Sequence, residues 1–189
     1  MLTKNISFKN FLLKKKNLVV KKNLNSILSK KNQLILSLSK SYKDSFDKKN
    51  IKHFQKNFDY RIIGMGWSIL GAHAIYDFLK KRIKKKFIFI DNLNTFENRK
   101  TKKNFNNLII SKSGNITETI VNANILIKKK DKNLFITEKK QSYLRLLAQK
   151  IKAEVVDHNN YIGGRYSVLS EVGMLPAELM GLKDRKSVV

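Results

Sequence analysis

Tyr60-Arg61-Ile62-Ile63-Gly64-Met65-Gly66-Trp67-Ser68-Ile69-Leu70-Gly71 is the stretch from which the fold can be read. Residues 61–64 form a short run rich in isoleucine, a strand signal. Two glycines then punctuate the chain, and from Ser68 the apolar residues return at helical spacing. The order is therefore strand, tight turn, helix. The span 62–79 is nearly free of charge, yet it does not read as a membrane span. Gly64, Gly66 and Gly71 interrupt it, as do His73 and Asp77.

The same alternation continues downstream. Further strands are predicted at 87–91, 108–111, 134–137 and 154–157, with helices over 68–81, 117–128, 141–152 and 165–180. Strands that are apolar on both sides and separated by helices predict an α/β fold: three αβα layers around a five-stranded parallel sheet. Such sheets bind ligands at the carboxyl ends of their strands. Pro176 is the only proline, and it is expected to kink the last helix or mark its start. The polar segment 92–107 reads as a loop with one helical turn.

Working outward to the amino end, residues 1–58 read as a basic, mainly helical segment, and 59–189 as the α/β domain. Leu24, Ile27 and Leu28, then Leu34, Leu36 and Leu38, recur at loose helical spacing. The lysine runs 14–16 and 48–49 read as solvated faces. The first forty residues contain no Asp or Glu, which resembles an organelle-targeting segment, but they are Lys-rich rather than Arg-rich. Phe11-Leu12-Leu13 is too short for a secretory core, and a cytoplasmic setting is expected.

The net charge is +26 over 189 residues. Nucleic-acid binding is one reading of that charge. Base composition is the preferred one, because Lys, Asn, Ile and Phe all have A/T-rich codons and arginine, the residue suited to bidentate recognition, is scarce. A hydrophobic fraction of 42% supports a real core, and the absence of cysteine excludes disulfides and thiolate metal sites.

Three loops fall where this fold would hold a ligand. Gly64-Met65-Gly66-Trp67-Ser68 opens a helix, and its glycines, open N–H groups and the Ser68 hydroxyl suit an anion. A bland tight turn explains it equally well. Ser111-Lys112-Ser113-Gly114-Asn115-Ile116-Thr117-Glu118-Thr119 gathers hydroxyls, a cation and a helix start, the directed donors and positive charge that a phosphate monoester needs. The plain alternative is a polar loop with Thr117 as helix cap. Gly163-Gly164-Arg165-Tyr166-Ser167-Val168-Leu169-Ser170 sets a permanent cation at a helix start, suited to an oxyanion or to an ion pair with a nearby carboxylate.

In order and spacing, these loops resemble the phosphoglucose isomerase family and its first sugar isomerase (SIS) domain, over about 60–182. Residues 163–170 are the most specific part of the match. Ser111 to Gly114 with Thr117 to Thr119, and Gly64 to Gly66 with Ser68, Leu70 and Gly71, complete it. The resemblance implies interconversion of glucose 6-phosphate and fructose 6-phosphate through ring opening and a cis-enediolate, with no metal or organic cofactor. It implies that Gly66, Ser68, Ser111, Ser113 and Thr117 hold the phosphate with Lys112 beside them. Gly164 would line the sugar and Arg165 would stabilise the enediolate.

Two departures stand inside the motifs. Trp67 occupies a position that is usually glycine, where bulk is expected to disturb the backbone. Ile116 stands for a usual threonine, a loss of about 1–2 kcal/mol of phosphate binding if that hydroxyl bond is buried. The family's glutamate base, ring-opening histidine and catalytic lysine are expected in a second domain missing from this chain, and a homodimer partner is a further expectation. His73 and His158 match no family position, and His158 reads as a loop residue. The alternatives are a sugar-phosphate-binding module without turnover and, ranked last, a nucleic-acid-binding protein.

Overall fold

The computed structural model describes residues 17–182 except 31, 38, 40–41, 48, 50, 56–58 and 94–103. Among the described residues two helices, α1 (Leu18–Ser29) and α2 (Gln33–Ser37), precede the sheet. The Asn17 side chain accepts from the N–H groups of Val19 and Val20 and so starts α1. A 3₁₀ turn, Lys52–Gln55, leads into β1 (Asp59–Gly64), followed by α3 (Trp67–Leu79) and β2 (Phe87–Ile90). Then come β3 (Phe105–Ile110), α4 (Thr117–Leu126), β4 (Lys132–Glu138), α5 (Tyr143–Lys150), β5 (Glu154–His158) and α6 (Glu171–Leu179).

The five strands form one sheet in the order β2-β1-β3-β4-β5, with every pairing parallel. Alternate residues of each strand feed two cores, as pleating requires. Ile62, Leu108, Ile110, Leu134, Ile136 and Val156 pack with Ile69, Ala72 and Ile75 of α3 and Val172, Leu175 and Leu179 of α6. Ile63, Ile109 and Phe135 pack on the other face with Ala123 of α4 and Leu144 and Ala148 of α5. This is the three-layer arrangement that the alternating pattern predicts.

The segment before β1 is tied to the sheet. Ile51 and Phe54 are buried in the α3/α6 core. The Phe54 carbonyl accepts from the Tyr60 hydroxyl and from Asn106 Nδ2, and Lys132 Nζ donates to the His53 carbonyl at 2.7 Å.

Several boundaries differ from the sequence pattern. The helix expected over 165–180 is two elements: a 3₁₀ helix, Gly164–Leu169, and then α6, separated by Ser170 in extended conformation. The change of direction lets Val168 pack against Gly71 of α3 and Gly173 of α6. α6 runs through Pro176, whose carbonyl still accepts from Met180. β3 begins at Phe105, so residues 105–107 are strand rather than loop. The helical turn expected in 92–107 falls on 94–103, outside the described residues, as do the lysine run 14–16, Lys48 and the chain before Asn17.

Phe135 is fully buried in a central strand, whereas Phe78 on α3 is 88% exposed. Phe135→Ala should cost about 3–5 kcal/mol in a urea unfolding experiment, and Phe78→Ala less than about 0.5 kcal/mol.

Candidate functional site

β1 and β3 are neighbours, but the chain leaves β1 toward β2 on one side and β3 toward β4 on the other. Their crossover helices α3 and α4 lie on opposite faces. The loops at their carboxyl ends therefore diverge and open a crevice, the ordinary binding place of such a sheet.

On the β1 side, Gly66 caps α3 with φ +55° and ψ −127°, a conformation that only glycine adopts without strain. Because Gly66 absorbs the turn, Trp67 is simply the first residue of α3. The residue is 53% exposed. A helical backbone accepts a bulky side chain, so the torsions at position 67 do not themselves require glycine. Ser68 is half-buried one position on, its N–H bonded to the Met65 carbonyl at 3.2 Å.

On the β3 side, Ser111 is buried and its Oγ accepts from the Gly114 N–H at 3.2 Å. Ser113 Oγ accepts from the Asn115 N–H at 3.3 Å. Hydroxyls used as acceptors keep their protons for donation, which suits an anion. Gly114, at φ +68°, is pressed against the next loop: a Cβ there would meet Ser142 Oγ at 2.2 Å and Thr137 Oγ1 at 2.8 Å.

Thr117 is the first residue of α4 and not its cap; the cap position belongs to Ile116, which offers no side-chain hydrogen bond. The α4 ladder starts with Ile120 N–H on the Ile116 carbonyl. The N–H groups of Thr117, Glu118 and Thr119 precede it and point out of the helix start. Glu118, in the same turn, opposes an anion there.

Lys112 points elsewhere. Its Nζ donates to the Asn160 carbonyl at 2.7 Å and lies 3.4 Å from Glu138 Oε1. Its stem crosses Gly163, where a Cβ would meet Nζ at 3.0 Å and Cδ at 3.2 Å. Lys112 thus joins the β3 loop to the loop after β5, with its charge largely offset.

In that third loop Gly164 takes φ +56°, and Arg165 follows in the 3₁₀ helix. The Arg165 guanidinium sits 5.8 Å from the Trp67 ring centroid, a cation–π contact, and makes no ion pair among the described residues. Trp67, Leu70, Gly164, Arg165 and Val168 line a groove of about 380 Å³. The first loop thus meets the third at Trp67 and Arg165, and the second meets the third at Lys112 and Gly163.

The sequence reading missed one cluster. His158 is the last residue of β5, not a loop residue, and it is 4% exposed. Its Nδ1 is hydrogen-bonded to Glu171 Oε1, which also accepts from the Asn159 N–H at 2.7 Å. The Tyr42 hydroxyl donates to Glu171 Oε2 at 3.4 Å. Burial alone would push the Glu171 carboxyl up. The hydrogen bonds from His158 and from backbone N–H groups, together with the His158 charge, outweigh it and hold the carboxyl below its ordinary value. Burial and then the Glu171 charge push the Tyr42 hydroxyl up to about 12. No local signal in the sequence pairs residues 158 and 171.

The phosphoglucose isomerase sequence profile matches residues 16–186. The chain belongs to this family. Glucose-6-phosphate isomerase of Acholeplasma laidlawii is 34% identical over 160 residues, covering 73% of this chain and 37% of that protein. The Mycoplasma genitalium enzyme is 32% identical over 165 residues, covering 75% and 38%, and the Methanocaldococcus jannaschii enzyme 34% over 137 residues, covering 66% and 33%. The chain thus spans less than two-fifths of the length of these relatives. Among solved structures, a hypothetical protein from Thermus thermophilus superposes with a TM-score of 0.63 at 19% identity, covering 87% of this chain and 43% of that one. The Vibrio vulnificus NanR protein, solved with ManNAc-6P, gives 0.54 at 20% identity, covering 89% and 69%. At these identities the two structures speak to the fold alone. No helix among the described residues is long and apolar enough to cross a membrane.

Two outcomes follow from this geometry. Ile116→Thr restores a capping hydroxyl at the start of α4 and should raise stability by about 1 kcal/mol in chemical denaturation. The Tyr42 hydroxyl is bound more tightly to its proton in the folded chain, so its contribution is complete below pH 10 and is lost as pH rises toward about 12. Tyr42→Phe should flatten that part of the alkaline unfolding curve.

Proposed function

We propose that this chain carries the phosphate- and enediolate-binding part of a glucose-6-phosphate isomerase, acting on glucose 6-phosphate and fructose 6-phosphate in the cytoplasm. The observation that carries the reading is the meeting of the three motif loops on one edge of the sheet, joined through Lys112 on Gly163 and Arg165 on Trp67.

In this reading the phosphate sits at the start of α4. It takes hydrogen bonds from Ser111, Ser113 and Thr117 and from the open N–H groups, with Gly66 and Ser68 closing the other wall. Lys112 contributes by holding the second and third loops together. Gly164 lines the sugar, since a side chain at φ +56° would be strained. Arg165 faces C1 and C2, where negative charge grows as the proton leaves carbon. A fixed guanidinium lowers the energy of that enediolate more than that of the neutral sugar, which is the condition for catalysis. The base that moves the proton comes from a second unit of the family fold, appended or separate.

A second reading, a sugar-phosphate-binding module without turnover, is favoured by one observation. Three carboxylates at this edge are engaged by the chain's own basic groups, Glu138 by Lys112, Asp157 by Arg145 and Glu171 by His158, while Glu118 at the start of α4 would repel the phosphate. None of these three is poised as a free base.

Calorimetric titration with fructose 6-phosphate at physiological salt tests the shared part of both readings. Saturable binding is expected, weakened about tenfold or more by Ser111→Ala and by Arg165→Ala, the scale of a hydrogen bond to a charged group. A folded chain that takes up no fructose 6-phosphate overturns both. Isomerisation by the chain alone would overturn the need for a second unit.

A further inference from the structure

His158 and Glu171 are 13 residues apart, and between them lies the loop that carries Gly163, Gly164 and Arg165. The pair stands where that loop leaves β5 and where it enters α6. Inside the loop the hydrogen bonds are local. Ile162 N–H meets the Asn159 carbonyl, Tyr166 N–H the Gly163 carbonyl, and Ser167 Oγ the Gly164 carbonyl. Bonds of this kind shape a turn but do not fix it on the sheet. Lys112 and the Trp67 ring touch it from the side, while its own Ile162 is fully buried and its Val168 and Leu169 pack against the α3/α6 core.

Glu171 is fully buried, as is nearly all of His158. A buried carboxylate–imidazole pair is a weak source of net stability, because desolvation offsets most of the attraction, and an apolar pair would serve the core as well. A role in geometry accounts better for its presence. Glu171 uses both oxygens: one takes the His158 imidazole and the Asn159 N–H at the entry of the loop, and the other takes the Tyr42 hydroxyl. A single side chain therefore ties the entry of the loop, its exit and the segment before β1.

We propose that Glu171 is a positioning residue for Arg165. With His158 it clamps the base of the arginine loop, and through Tyr42 it makes the amino-terminal segment part of that clamp. The proposal rests on the reading above that Arg165 serves the sugar phosphate. The groups facing Glu171 are His158 from β5 and Tyr42 from the amino-terminal segment, with Asp44 adding its charge on Tyr42.

Trp67 is the only tryptophan and lies 5.8 Å from the Arg165 guanidinium, so its fluorescence reports where Arg165 stands. Glu171→Gln keeps the shape and removes the charge. Its circular dichroism should match the wild type, while acrylamide quenching of Trp67 should move to the level of Arg165→Ala. Fructose 6-phosphate affinity should fall roughly tenfold, the scale of one lost charged contact. Adding Arg165→Ala to Glu171→Gln should weaken binding no further, since both act on one group. Tyr42→Phe leaves the pair in place and gives the same readout in a milder variant, with a smaller quenching shift expected.

Wild-type quenching in folded Glu171→Gln or Tyr42→Phe overturns the clamp, and so do additive losses in the double variant. If the wild-type chain takes up no fructose 6-phosphate, the functional reading fails, and the quenching of Trp67 still decides the clamp.

Discussion

The parallel pairing of β1 with β3 governs the rest of the structure. Ile62 lies beside Leu108, Ile63 beside Ile109 and Gly64 beside Ile110. Both strands are buried on both faces, so the helices that follow them must cover opposite sides of the sheet. A parallel crossover is right-handed, and strands that send their crossovers in opposite directions along the sheet put them on opposite faces. The crevice between the first and second loops is a result of that rule. Gly64 lets the strands stay close at the point where they part, since a Cβ there would stand 2.9 Å from the Ile110 carbonyl oxygen.

The polar edge is then assembled by close approach. Gly114 lets the second loop lie on Ser142 and Thr137, Gly163 lets the Lys112 stem cross the third loop, and Gly71 and Gly173 admit Val168 between α3 and α6. Each contact replaces a side chain with a neighbouring loop, so hydroxyls and N–H groups are brought together without a large apolar residue between them. The electrostatics follow from the same packing. Lys112 is drawn to Glu138 and the Asn160 carbonyl, so at the three motif loops positive potential comes from the start of α4 and Arg165 rather than from Lys112.

Much of this was legible because the strand centres are apolar and the helices are periodic. The strand ends were not. β3 begins with Phe105-Asn106-Asn107, residues that look like loop, but Asn106 donates to the Phe54 carbonyl and Asn107 to Asn133 Oδ1. Buried asparagines that donate to distant partners leave no local trace. Arg61 in β1 likewise stacks on Phe105 and donates to the Leu126 carbonyl. The motif loops were legible because glycine and hydroxyl spacing is a local property. Helix 165–180 was overextended because the extended Ser170 is set by Val168 packing between two helices, which no periodicity encodes. His158 and Glu171 escaped for the same reason.

The two departures inside the motifs have different physical consequences. At Trp67 the backbone is helical and the unusual torsions fall on Gly66, so what the large side chain supplies is a ring beside Arg165. At Ile116 the loss is real, because a cap hydroxyl would serve both the helix and an anion, whereas the Ile116 side chain serves neither. The backbone donors of α4 remain, since they depend on the helix and not on the cap. Each hydrogen bond to a charged group adds about 1.5–3 kcal/mol, and association costs at least about 4 kcal/mol in lost freedom. Two serine hydroxyls and a helix start therefore leave a margin of only a few kcal/mol, the range of millimolar affinity at about 4 kcal/mol. Under the proposed function, a half-site of this composition would hold a sugar phosphate weakly, and tight, productive binding would require the groups that the rest of the family fold brings to the same edge.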